Sequence, residues 1–209
     1  MTPAELVTAF VALFTLLNPV GGIPVFLTLT ENESQEQRNG VALAASVAVA
    51  VILLVAMFLG SAILALMHIE LDAFRLAGMV VIIGMALSML NAAPSGVKQA
   101  PGEHLEAVDR GTVAVVPLAL PVLAGPGSIS AVIIVATRTT GWVEWLFEVA
   151  IILLNAAATY GILRIAPRLG RMLGTTGMNI LTRLFGLLLL AIGLGGAAAA
   201  LKALFPGLG

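Results

Sequence analysis

Residues 41–67 read VALAASVAVAVILLVAMFLGSAILALM, and none of these positions carries a charged side chain. A transmembrane helix needs about 20 mainly apolar residues, so this stretch alone is long enough to cross a bilayer. The rest of the chain has the same character, because 60% of the 209 residues are hydrophobic and only 10% are charged. A water-soluble domain carries about 25% charged residues. The composition therefore indicates an integral membrane protein and excludes a soluble enzyme.

The charge and the cysteine content exclude several kinds of site. The net charge is −1 and no basic run occurs, so the electrostatic surface that nucleic-acid binding needs is missing. The chain has no cysteine, which excludes disulfides, iron–sulfur clusters and thiolate zinc sites. The two histidines, His68 and His104, lie between the apolar stretches, and no Asp or Glu lies at the centre of one. We therefore expect no enzymatic activity, no metal site and no cofactor.

Six apolar stretches predict six transmembrane helices. They run approximately over residues 6–30, 41–67, 73–92, 112–137, 145–165 and 180–204. None of them alternates polar and apolar residues as a membrane barrel strand does. Met1–Glu5 lacks the basic segment of a signal peptide, so the first stretch is not expected to be cleaved. The predicted fold class is an all-α membrane protein.

The distribution of Lys and Arg predicts the orientation, because basic residues concentrate on the cytoplasmic side. With six crossings, one side holds seven basic residues: Arg38, Lys98, Arg110, Arg164, Arg168, Arg171 and Arg183. The other side holds three: Arg75, Arg138 and Lys202. Both termini are therefore expected outside the cytoplasm, in a bacterial inner membrane. If the first and fourth spans were re-entrant hairpins, the basic residues would divide five and five.

Two pairs of short motifs suggest an internal repeat. The sequence RLAG at 75–78 opens the third span, and RLFG at 183–186 opens the sixth. Prolines five residues apart occur in both the first span and the fourth. The chain would then consist of one repeat over 1–92, a linker over 93–111 and a second repeat over 112–209. Three spans in each repeat make the second copy inverted; chance similarity between Leu/Ala/Gly-rich helices is the alternative.

Proline and glycine clusters interrupt the first and fourth spans at their centres. Each cluster has two prolines, which remove backbone donors and clash with the preceding helical turn: Pro19, Pro24, Pro121 and Pro126. Pro24 suits the start of a new helix, and Ser128 would be a good N-cap. Each span is therefore expected to consist of two half-helices around an unwound segment. Packing kinks between closely approaching helices are the alternative interpretation.

The interrupted segments are the predicted binding site. The ends of the half-helices offer free N–H and carbonyl groups, which could hold a zwitterion without any charged side chain. The predicted substrate contacts are Asn18, Gly21, Gly22, Gly125, Gly127 and Ser128, with Asn155 in the fifth span as a further candidate. For Asn155, a hydrogen bond that joins two helices is an equally good explanation.

Three sequence motifs resemble the MarC family of integral membrane proteins, the group related to the multiple-antibiotic-resistance protein C. They are LNPVGGIP at 17–24, PLALPVLAGPGSIS at 117–130 and GMNILTRLFG at 177–186, and the similarity extends from the first span to the last. The resemblance implies a transporter of small neutral amino acids such as alanine or glycine. It does not itself identify the substrate contacts.

The sequence thus predicts a carrier that exports a small zwitterionic substrate by alternating access, with its site between the first and fourth spans. A channel whose filter is formed by the same interrupted helices is the alternative. A structural or regulatory membrane protein without a permeant is a third. The lipid bilayer is the expected partner, and a homo-oligomer is left open. The identity of a coupling ion is also left open.

Overall fold

The computed structural model describes residues 2–91, 123–205 and 207. Within these ranges the regular secondary structure consists of six α-helices and no strand. The helices are α1 (Pro3–Leu17), α2 (Ile23–Leu29), α3 (Gln35–Leu66), α4 (Leu71–Leu90), α5 (Pro126–Arg138) and α6 (Trp142–Leu204). The predicted linker at 93–111 and the first part of the fourth span, at 112–122, lie outside the described residues.

Side-chain caps fix where α1 and α3 begin. The Thr2 hydroxyl accepts a hydrogen bond from the Glu5 backbone N–H (3.3 Å), and the Glu5 carboxylate accepts one from the Thr2 N–H (2.7 Å). Ser34 and Gln37 form the same reciprocal pair at the start of α3, with distances of 3.3 and 2.8 Å. Each pair satisfies two backbone N–H groups that a helix start would otherwise leave without acceptors.

Among the described residues, three helices are long and apolar enough to cross a membrane by length and composition: α3, α4 and α6. The second and third predicted spans are confirmed as helices α3 and α4. At 1.5 Å per residue, the 63 residues of α6 would extend about 95 Å, roughly three times the hydrocarbon thickness of a bilayer. Gly174 divides α6, because its φ of 61° and ψ of −172° are not helical. The fifth and sixth predicted spans are the two halves of α6, and the residues between them are also helical on either side of Gly174.

The exposed side of α3 is covered with large apolar side chains. Val47, Val51 and Val55 recur every four residues and are each about half exposed. On the opposite side of α3, Ala45, Val49 and other small or aliphatic residues are fully buried in the core. A helix that is apolar on all sides suits the interior of a membrane, where lipid covers the outer face.

The first span is divided into α1 and α2, but the chain does not reverse between them. The Asn155 side-chain amide of α6 donates to the Phe10 carbonyl of α1 (3.4 Å). Further along both segments, a Cβ on Gly170 of α6 would lie 2.9 Å from Leu27 of α2. Contacts therefore advance in the same direction along both segments. The chain from α1 to α2 thus runs beside the first half of α6 and in the same direction.

Helix α4 runs antiparallel to the second half of α6. Near one end of the pair, a Cβ on Gly186 would lie 2.9 Å from Met89 Cβ, and near the other end a Cβ on Gly196 would lie 2.5 Å from Met79 Sδ. Glycine at such positions allows the two backbones to approach closely, and dispersion contacts between them stabilise the pair.

Helix α5 packs on α4 through two glycines. A Cβ on Gly78 of α4 would lie 2.9 Å from the carbonyl oxygen of Pro126, and one on Gly127 of α5 would overlap the Ile82 side chain. The start of α5 is thereby fixed against the middle of α4.

The close contact between Gly78 and Pro126 can be tested with two substitutions in α4. Gly78→Ala should lower the free energy of unfolding by about 1–3 kcal/mol, because the new methyl group meets a backbone oxygen that cannot rotate away. Gly84→Ala, also in α4, adds its methyl group to open space and should instead raise stability by up to about 1 kcal/mol. Thermal unfolding in detergent measures both variants. Equal midpoints for the two would contradict the described packing.

Candidate functional site

Asn18 forms the first helix break. It follows the last residue of α1 in the left-handed conformation, with φ 43° and ψ 55°, and its N–H donates to the Phe14 carbonyl. Its side-chain oxygen accepts a hydrogen bond from the Gly21 N–H (3.1 Å), and its side-chain NH₂ lies 3.6 Å from Met89 Sδ as a donor. Asn tolerates this conformation better than most residues do. Helix α1 ends at this residue, whose side chain caps the turn that follows.

The residues after Asn18 complete a tight turn. The Gly22 N–H donates to the Asn18 carbonyl (3.2 Å), and α2 begins at the next residue. A Cβ on Gly21 would overlap the Asn18 side chain and lie 2.8 Å from Met89 Cε, so a larger residue there would displace both side chains. Pro19 lies buried within the turn. Pro24 lies in the first turn of α2, where backbone N–H groups have no acceptor within the helix, so proline loses no helical hydrogen bond there.

The second break precedes α5, and one detail of its prediction is wrong. The N-cap of α5 is Gly125, in an extended conformation, and Pro126 is the first helical residue. Ser128 therefore lies inside the first turn rather than at the cap, and its hydroxyl donates back to the Gly125 carbonyl (2.9 Å). Pro126, rather than Ser128, therefore marks the start of α5. Pro121 lies outside the described residues.

The two breaks contact the same helix at different heights. Asn18 and Gly21 meet Met89 of α4, whereas Gly127 meets Ile82. Seven residues along a helix correspond to about 10 Å. The structure thus places both predicted halves of the site beside α4, separated by about two helical turns.

Asn155 lies away from the breaks, in the interface between α6 and α1. It is fully buried, and its side-chain NH₂ donates to the Ile151 carbonyl (2.9 Å) as well as to the Phe10 carbonyl. Its side-chain oxygen is buried and has no hydrogen-bond partner within the part of the chain that the structure describes. A buried carbonyl oxygen in this condition costs free energy unless a ligand or a water molecule bonds to it.

A cavity of about 100 Å³ lies between α1, α5 and the first half of α6. Its walls are almost entirely apolar: Ala9, Ala12, Leu13, Leu16, Met57, Ala131, Val132, Val135, Ile151 and Ile152. Of the described residues in this lining, Glu148 alone is charged. The cavity is therefore a small apolar chamber that a carboxylate borders.

Sequence reasoning did not select Glu148, because it lies near the predicted start of a span, where a side chain can reach the headgroups. Glu148, Ile151 and Ile152 recur with helical spacing and share one face of α6 with Asn155. That spacing was the signal that could have identified it. Among the described residues, no three His, Cys, Asp or Glu side chains come together in a group that could hold a metal ion.

Comparison with known proteins agrees with this architecture of apolar helices. Residues 4–205 match the family described as "MarC family integral membrane protein". The chain belongs to the MarC family. This confirms the resemblance in the three sequence motifs and makes the protein an integral membrane protein, for which a lipid bilayer is the natural surrounding.

Several MarC relatives are similar over nearly their full length. The UPF0056 membrane protein YhcE of Escherichia coli (strain K12) is 42% identical over 200 residues, which cover 95% of this chain and 93% of the relative. The UPF0056 membrane protein YvbG of Bacillus subtilis (strain 168) is 34% identical over 202 residues, with 96% of each chain covered. A UPF0056 membrane protein of Aquifex aeolicus (strain VF5) is 33% identical over 186 residues, with 89% and 87% covered. No solved structure matches the chain.

The geometry of Asn18 predicts how the first break responds to substitution. Asn18→Gly keeps the left-handed backbone and loses the side-chain hydrogen bonds to Gly21 and Met89. Asn18→Leu loses the same two bonds and in addition forces a branched side chain into a conformation that costs about 1–2 kcal/mol. Thermal unfolding in detergent should therefore rank the parent above Asn18→Gly, and Asn18→Gly above Asn18→Leu. A leucine variant as stable as the glycine variant would show that the backbone at Asn18 is not left-handed.

Proposed function

We propose that this MarC-family protein is a secondary carrier that exports small neutral amino acids, such as alanine and glycine, by alternating access. The observation that carries the proposal is the small cavity between α1 and α5, the helices next to the two proline and glycine clusters. A volume of about 100 Å³ has room for a molecule of only a few non-hydrogen atoms. Its apolar wall suits a hydrogen or methyl side chain, and the Glu148 carboxylate is a natural partner for an ammonium group.

The position of the cavity next to Asn155 also supports this proposal. Ile151 and Ile152 line the chamber one helical turn before Asn155, whose side-chain oxygen is buried without a partner among the described residues. A substrate ammonium group that passes along this face of α6 would meet two acceptors in succession, Glu148 and Asn155. Asn18 and the glycines of the two breaks are proposed to provide the flexible backbone that lets the surrounding helices move.

Six crossings in two inverted repeats are the proposed topology. The α1–α2 segment follows the first half of α6, and α4 runs antiparallel to the second half. The two glycines of the repeated motif, Gly78 and Gly186, both lie at close helix contacts. In this topology α4 contacts both breaks, so that rocking of one repeat against the other would open the site alternately to each side.

The proposed orientation places both termini outside the cytoplasm of the inner membrane. Arg38, Arg164, Arg168 and Arg171 line neighbouring cavities near the ends of α2 and the first half of α6, whereas Arg138 lies at the end of α5 next to Trp142. By the rule that basic residues concentrate inside, the cavity-lining arginines face the cytoplasm. The proposal involves transport without a chemical step, a cofactor or a metal ion.

Counter-flow in proteoliposomes tests the proposed function. Vesicles are preloaded with unlabelled alanine, and entry of external labelled alanine is followed. Saturable uptake that requires alanine inside the vesicles is expected, because a carrier exchanges substrate. Conduction without exchange would favour the channel, and no uptake of alanine, glycine or serine by folded protein would contradict the amino-acid assignment.

Filling the cavity should block transport. Ala131→Leu adds three carbon atoms to a chamber of about 100 Å³ and is expected to reduce counter-flow at least tenfold, an effect of about 1.4 kcal/mol. Ala150→Leu is the matched control, because Ala150 lies on the exposed side of α6. Equal transport of alanine by the two variants would contradict a substrate site in this cavity.

Glu148→Gln tests the ammonium contact separately. The amide keeps the size of the side chain and removes its charge, so the apparent affinity for alanine should fall about tenfold, as expected for a lost charged hydrogen bond. Glu36→Gln, an exposed position at the start of α3, controls for the general loss of one carboxylate. An unchanged affinity in Glu148→Gln, with the protein inserted normally, would remove Glu148 from the site.

A further inference from the structure

Two larger cavities adjoin each other where α2 and the start of α3 meet the middle of α6. Their volumes are about 580 and 480 Å³, and they share Gln35, Pro167 and Arg171. Arg38 lines the larger cavity, and Arg164 and Arg168 line the smaller one. Neither lining includes an Asp or Glu among the described residues. This arginine pocket is separate from the chamber proposed for the transported substrate.

Three arginines of α6 form one wall of the arginine pocket. Arg164, Arg168 and Arg171 recur at intervals of four and three residues, so their side chains leave the same side of the helix. The guanidinium carbon of Arg164 lies 5.9 Å from the centre of the Tyr160 ring, where the face of the ring attracts a cation. The three charges therefore line a common surface.

Backbone carbonyls hold two of the guanidinium groups in place. Arg38 donates from Nε to the Thr30 carbonyl and from Nη2 to the Glu31 carbonyl, both at 2.9 Å. Arg171 donates from Nε to the Pro167 carbonyl at 3.2 Å. A guanidinium group has five N–H donors, and carbonyl contacts of this kind position it without neutralising its charge.

We propose that the arginine pocket binds a phosphate group, carried by the headgroup of an anionic phospholipid or by free phosphate. Arginine forks match the oxygens of a phosphate in charge and in geometry. Basic pockets between membrane helices bind lipid phosphates in this way. Leu27 and Met178 add apolar wall to the larger cavity, so an acyl chain beside the headgroup would also be accommodated.

Native mass spectrometry of the full chain in detergent tests this proposal. Phosphatidylglycerol and phosphatidylcholine are titrated separately, and the fraction of lipid-bound protein is measured. The test variant is Arg168→Gln/Arg171→Gln, which leaves Arg38 with its carbonyl contacts. Arg75→Gln/Arg138→Gln is the matched control, because it removes the same charge from residues that do not line the pocket. Circular dichroism verifies that both variants are folded.

The parent protein is expected to retain phosphatidylglycerol in preference to phosphatidylcholine, with binding at least about tenfold weaker in the test variant and unchanged in the control. A parallel arm measures the unfolding temperature in phosphate and in chloride at equal ionic strength. Stabilisation by phosphate that is lost in the test variant, without a lipid preference, would assign the site to free phosphate. Equal lipid binding in all proteins together with no phosphate effect would overturn the proposal, as would equal weakening in the control.

Discussion

The backbone of this protein can leave the helical conformation inside an apolar bundle only where other groups replace the lost hydrogen bonds. At the first break, the Asn18 side chain accepts from the Gly21 N–H, and the Asn18 carbonyl accepts from the Gly22 N–H. At the second, the Gly125 carbonyl accepts both from the Ile129 N–H and from the Ser128 hydroxyl. The turn between α1 and α2 is therefore closed by its own hydrogen bonds, and Ser128 closes the first turn of α5 in the same way.

Small residues determine how close the helices come. Gly78, Gly127 and Gly186 lie where an added Cβ would meet the neighbouring helix, and α4 is a partner in all three contacts. Van der Waals packing is the main attraction between helices surrounded by lipid, so these contacts carry much of the stability of the fold. They also hold both helix breaks beside α4, which connects the integrity of the bundle to the geometry of the candidate site.

Much of the fold could be predicted from local chemistry. The absence of charge over 41–67 identified α3, and the proline and glycine residues at 19–24 located the turn between α1 and α2, because these residues act on their own backbone. The exact cap of α5 was not predictable in the same way, since Pro126 and Ser128 are both good helix starters and the choice depends on neighbouring contacts. The grouping of Glu148 with Asn155 was visible in their spacing, but the cavity between α1 and α5 depends on how distant segments pack. The arginine pocket likewise joins residues more than 120 positions apart.

Gly174 has a consequence for how the chain can be altered. Its φ of 61° with ψ of −172° belongs to a region that essentially only glycine occupies, and the residues on both sides are helical. The two halves of α6 are thus joined by a single residue rather than by a connecting loop. An epitope or a domain inserted at Gly174 would therefore disrupt the flanking helices, because no loop is present there to accommodate it. Any reporter of membrane orientation belongs in the turns at 31–33 or 67–70, where chain can be added without unwinding a helix.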